Sequence, residues 1–241
     1  MKALLVKELR SYLSSIIGYV VIFMFLIVSG TILWILPGAN NIIENGVASL
    51  QPFFHIAPFI LMILIPAFTM RCFAEEYKSG TVELLSTKPI SLTKIILAKY
   101  FAACLIGIFT ILPSLVFYLS VYFLGEITGN IDHPSTIGGY LALILLCMTF
   151  IAIGILASSL AKNQFIALLI GIIFNFILYI GFSALAGFFS YPIDYFLLKL
   201  SMVEHFISFQ RGVIDSRDLT YFISVIIITI TLTNVVVSNK K

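Results

Sequence analysis

The sequence predicts an all-α integral membrane protein with six transmembrane helices. An amphipathic helix should precede them, a short cytoplasmic helix should follow the second, and interfacial or re-entrant external helices should precede the last. Three observations carry this. Of 241 residues, 61% are hydrophobic and only 10% charged, where a soluble domain carries roughly 25% charged residues. Six stretches are long and apolar enough to cross a bilayer core, which takes about 20 helical residues. Finally, the basic residues crowd into alternate segments between those stretches. The net charge of +3 therefore follows from topology and gives no reason to expect nucleic acid as a partner. The expected surroundings are the lipid bilayer, and one membrane domain accounts for residues 1–241.

Lys2 to Ser15 places Leu4, Leu5, Leu9, Tyr12 and Leu13 at helical spacing with Lys7, Glu8 and Arg10 among them. Such a helix is expected to lie along the membrane surface. The first apolar run is long and lacks a small-residue cleavage site, so it reads as a retained span and not as a signal peptide. The spans are expected at about 16–36, 53–70, 100–124, 137–160, 164–189 and 219–238. Segments at the N-terminus, 71–99, Lys162 and the C-terminus hold eleven Lys and Arg, against three in the other set. That imbalance places both termini and the 71–99 segment in the cytoplasm. Pro66 and Pro113 should interrupt their helices. Gly154, Ser158, Gly171 and Gly181 would allow close helix packing, and Asn175 reads as a helix–helix hydrogen bond at depth.

The sequence also excludes chemistry. There is no Gly-rich turn followed by Gly-Lys-Ser/Thr, so the chain has no nucleotide-hydrolysing loop of its own and no cofactor is expected. Neither a HExxH motif nor a His cluster points to a metal, and Cys72, Cys104 and Cys147 share no ligand spacing and read as packing residues. His55, His133 and His205 fall near span ends as solvated or interfacial residues. The six apolar cores contain no Asp, Glu, Lys or Arg. Ion-coupled carriers hold such groups at membrane depth, so an ion-gradient carrier is disfavoured.

Two polar stretches remain. Arg71 to Lys99 reads RCFAEEYKSGTVELLSTKPISLTKIILAK. Gly80 and Thr81 can open a short helix with Glu83 in its first turn, where the helix dipole favours an acid, and Pro89 prevents its extension. The stretch reads either as an element on which another protein pushes or as a solvated loop with an interfacial helix. The second stretch, Ser190 to Asp218, is too apolar for an aqueous loop. One or two short helices at the outer leaflet, ending near Gly212, are expected there; they would gate a lateral exit or anchor the rim of the bundle.

The run Glu75-Glu76-Tyr77-Lys78-Ser79-Gly80-Thr81-Val82-Glu83-Leu84-Leu85, followed by Lys88-Pro89-Ile90, resembles the segment after the second span in ABC-2 type permeases. The run from Glu204-His205-Phe206 through Arg211-Gly212-Val213-Ile214-Asp215-Ser216-Arg217-Asp218 resembles the corresponding loop of the gliding-motility-associated permease subunit, the GldF type. This resemblance implies that Gly80, Thr81, Glu83, Leu84 and Leu85 dock on a separate ABC ATPase subunit, which would itself use ATP and Mg²⁺. Glu75, Glu76 and Lys78 would orient that element, and Pro89 belongs to the same ATPase-coupling set. It further implies a second permease protomer, identical or related, an auxiliary membrane subunit with a large external domain, and residence in the bacterial inner membrane. In the external loop, Arg211, Asp215, Arg217 and Asp218 are expected to form ion pairs beside Glu204, His205 and Gly212. The implied activity is ATP-driven export or conformational work across the membrane. The alternative is a non-transporting scaffold that remodels an external machine.

Overall fold

The computed structural model describes residues 2–80 and 91–240, and every regular element among them is a helix. In chain order these are α1 (Lys2–Ser14), α2 (Ile16–Trp34), α3 (Ile42–Asn45), α4 (Gln51–Thr69), α5 (Arg71–Ser79), α6 (Leu92–Ile111), α7 (Leu115–Leu124) and α8 (His133–Leu160). They continue with α9 (Gln164–Phe176), α10 (Phe182–Ala186), α11 (Ile193–Leu200), α12 (Met202–Gln210) and α13 (Ser216–Asn239). A 3₁₀ turn, Leu112–Ser114, joins α6 to α7, and a π-helical segment, Ile177–Gly181, joins α9 to α10. Six of the resulting helical units are long and apolar enough to cross a membrane.

Local chemistry sets most of the boundaries. Short polar side chains accept from the exposed amides of a helix's first turn. Ser15 caps α2 in this way through the Ile17 amide, Asp132 caps α8 through Ser135, Asn163 caps α9 through Ile166, and Asp215 caps α13 through Arg217. Gly80 closes α5 with φ of 69°, a left-handed conformation that glycine adopts without Cβ strain. Gly80 thus ends α5. The expected helix beyond it, with Thr81, Glu83, Leu84, Leu85 and Pro89, lies outside the described residues.

One end of the bundle gathers α1, α5, the α8–α9 turn and the end of α13; we call it the terminal end, and the opposite one the distal end. Helix α8 is the central post: 78% of its apolar window is buried, against 22% for the α9–α10 unit and for α13. Small residues let α8 serve this role. A Cβ on Gly154 would collide with the Thr69 hydroxyl of α4, and one on Gly138 with the Phe209 carbonyl of α12. Gly171 of α9 lies less tightly against Pro66, where a Cβ would stand 3.0 Å from the ring, whereas Gly181 faces only its own helix. At the distal end, Phe53 packs on Phe25 and Phe117 with ring centroids 6.1 and 5.7 Å apart, and Phe54 meets Tyr140 edge-on at 5.2 Å. These rings fill the space between α2, α4, α7 and α8.

The spans differ from expectation at their ends. Helix α4 runs through a single turn residue, Met70, into α5, and α6 begins at Leu92, so much of the 71–99 segment is helical. Two of the charges there, Glu76 and Lys99, pair within the bundle, which a one-dimensional reading cannot foresee, while Lys78 and Lys94 are exposed. Pro58 as well as Pro66 lies inside α4, and Pro113 falls in the 3₁₀ turn. The long span expected over 164–189 is interrupted by the π-helical segment. Asn175 is fully buried, yet neither of its side-chain atoms has a hydrogen-bond partner among the described residues. The expected interhelical bond is absent among the described residues.

Candidate functional site

Helices α5 and α6 flank the segment between Gly80 and Ser91 as two stems. Lys99, two turns into α6, is only 3% exposed. A buried ammonium requires compensating charge, and two elements supply it. Glu76 of α5 lies 2.6 Å from Lys99 Nζ, and Glu8 of α1 lies 3.4 Å from it. The Phe73 ring centroid stands 5.4 Å from the same ammonium. Lys99 thus ties the outgoing stem, the returning stem and the N-terminal helix to one point. The sequence by itself gives Lys99 no role beyond the polar stretch that it closes. Its place one residue before an uninterrupted apolar run is the signal that could have found it.

Beside this cluster, the Tyr12 hydroxyl and the Cys72 thiol are 2.9 Å apart, and Tyr12 meets Phe68 edge-on at 5.9 Å. Burial, then the adjacent Cys72, pushes the Tyr12 phenol well above its ordinary pKa, so it acts as a neutral hydrogen-bonding hydroxyl. A crevice of about 300 Å³ opens here between α1 and α5, with Lys7, Ser11, Arg71 and Glu75 along its walls.

Two further residues fix α5. Ser158 of α8 accepts from the Phe73 and Ala74 amides at 3.0 and 3.1 Å and donates to the Met70 carbonyl at 2.9 Å. It caps α5 from another helix at the place where Met70 interrupts the ladder. Lys240 donates to the Ser159 and Leu160 carbonyls at 2.6 and 3.1 Å and lies 4.5 Å from the Tyr77 ring centroid. Partial burial, then the nearby Lys162, lowers its pKa below that of an ordinary lysine. Of the sequence-selected residues, Glu76 joins the cluster, Glu75 lines the crevice, and Lys78 is exposed on α5.

The distal stretch forms the two short helices α11 and α12, joined at Ser201 and ended by Gly212, whose φ is 77°. Among the described residues no ion pair joins Arg211 or Arg217 to Asp215 or Asp218, contrary to expectation. Asp215 serves as the α13 cap, and Asp218 pairs with His205 at 2.6 Å. The other ring nitrogen of His205 lies 3.0 Å from the Lys199 carbonyl oxygen, and its ring stacks on Tyr221 with centroids 3.9 Å apart. His205 is therefore a structural pin, where its position in the sequence suggests only a solvated or interfacial side chain. Ser201 donates to the Tyr179 carbonyl in the π-helical segment at 2.9 Å. Glu204 and Arg211 are exposed.

Six membrane-capable helices, five of them around the buried post that is the sixth, with two stems clamped together at one end, define a multi-pass membrane protein. The family model described as ABC-2 family transporter protein matches residues 4–237, and the chain belongs to that family. Proteins of this family are membrane permease subunits that generally work with an ABC ATPase and are not themselves catalytic. A search of curated proteins found no match.

Proposed function

We propose that this chain is the permease subunit that converts ATP hydrolysis by a separate ABC ATPase into movement of its own helices. The observation that supports the reading most is the buried Lys99 contact with Glu76 and Glu8, because it locks both stems of the 80–91 segment to α1. A push on that segment, through Gly80, Thr81, Glu83, Leu84, Leu85 and Pro89, would reach α4 through Met70 and α8 through Ser158. It would not be absorbed by a loose loop. The terminal end would face the cytoplasm of a bacterial cell, in line with its share of the basic residues.

The run from Glu204 to Asp218 supports the gliding-motility-associated type within the family. In that assembly a second permease protomer and an auxiliary subunit with a large external domain would complete the complex. The test is affinity purification in mild detergent, with identification of co-purifying subunits and an ATP hydrolysis assay. Recovery of an ABC ATPase whose hydrolysis responds to Gly80→Pro is the expected result. A lone oligomer, under conditions that preserve other membrane complexes, would refute the reading.

A further inference from the structure

Among the six spans, α13 alone contains neither glycine nor proline between its first and last residues, Ser216 and Asn239. Sharp kinks arise mostly at proline, at glycine or serine pairs, at π-bulges and where a side chain enters the ladder. Helix α4 carries prolines, the α9–α10 unit a π-helical segment, and α2, α6 and α8 carry glycines. In α13, by contrast, the Ser224, Thr229 and Thr233 hydroxyls bond back to carbonyls one turn earlier without breaking the helix. Twenty-four helical residues extend about 36 Å. Helix α13 is therefore a continuous rod from one end of the bundle to the other.

Both ends of the rod are tied by side chains to the two regions that would have to move. At the terminal end, Lys240 lies over Tyr77 of α5 while gripping the last carbonyls of α8. Six residues earlier, Asn234 Nδ2 donates to Thr93 Oγ1 in the first turn of α6 at 3.3 Å. The rod thus touches both flanks of the segment between Gly80 and Ser91. At the distal end, Asp218 holds His205 of α12, and the Tyr221 hydroxyl donates to the Leu200 carbonyl of α11 at 2.5 Å. These two contacts grip the α11–α12 hairpin on either side of its break at Ser201.

We propose that α13 relays displacement of the stems to the distal α11–α12 hairpin, and that Lys240 is the positioning residue that engages the rod at its terminal end. A helix with no glycine, proline or π-bulge carries displacement along its axis, so a shift of Tyr77 and Thr93 is felt at Asp218 and Tyr221. The hairpin can follow because Ser201 and the left-handed Gly212 leave breaks on both sides of α12. The role deepens the coupling reading above and rests on it.

Thermodynamic coupling is reciprocal, so the test is hydrogen exchange of the full chain in nanodiscs, with no ATPase required. Lys240→Met removes the ammonium contacts and should raise amide exchange in α11 and α12 by about fivefold, the lower range of ordinary allosteric coupling. Asp218→Asn should raise exchange in α5 in return. Lys240→Arg, which retains charge, donors and affinity for a ring face, should restore the wild-type pattern. Effects confined to the substituted end, or a rise spread evenly through α4 and α8, overturn the relay. Such a failure leaves the ATPase copurification untouched, and a missing ATPase leaves the reciprocal exchange pattern untouched.

Discussion

Replacing Lys99 by methionine tests the clamp on the stems directly. Methionine keeps most of the side chain's length and apolar packing but removes the ammonium held 2.6 Å from Glu76 and 3.4 Å from Glu8. The site is shielded: the three side chains are 4%, 17% and 13% exposed. Removing one member of a buried ionic group costs about 3–5 kcal/mol. For a chain of this size, each kcal/mol shifts the midpoint of unfolding by about 2–4 °C, so Lys99→Met should melt roughly 10 °C below the wild type in detergent or nanodiscs. A double-mutant cycle with Glu76→Leu isolates the pair. If the clamp is real, the double variant recovers part of the loss, because two apolar side chains replace two charges. Melting within about 2 °C of wild type, together with no coupling in the cycle, would refute the clamp and leave the stems independently held.

Two other substitutions probe the same architecture. Ser158→Ala strands the Phe73 and Ala74 amides at the start of α5; a loss of about 1–3 kcal/mol is expected, visible as faster hydrogen exchange confined to α5. Unchanged exchange there would show that the amides find other acceptors. Asn175→Leu should leave stability unchanged or raise it, since it removes two buried polar atoms that lack partners. A drop of more than about 1 kcal/mol by thermal melting would mean that the amide does have a partner, such as an ordered water.

Much of the fold is legible in the sequence because the strongest forces shaping it act along the chain. A bilayer offers no hydrogen bonds to the backbone, so long apolar runs must be helices. At the boundaries Ser15, Asp132, Asn163 and Asp215 cap the helices that restart there, a local signal that hydropathy alone does not use. The two short distal helices and their end at Gly212 are visible too, because the stretch is too apolar for water yet interrupted by charges.

Side-chain partnership is not legible in the same way. Lys99 reads as loop or helix with equal ease, and its burial depends on Glu8, 91 residues away in sequence, lying beside the same turn of α6. Asp218 looks like one more surface acid beside Arg217, yet it faces the ring of His205, because helical geometry turns neighbouring residues to different sides. Lys240 looks like a basic residue that sets orientation, and only the convergence of α8, α13 and α5 places its ammonium on two carbonyls and a ring. Sequence alone determined how many times the chain can cross a membrane and where it must turn, because hydrophobic length and capping are local properties. Tertiary structure decided which charges are buried and what they hold, because desolvation and hydrogen-bond geometry depend on residues that meet only once the helices have packed.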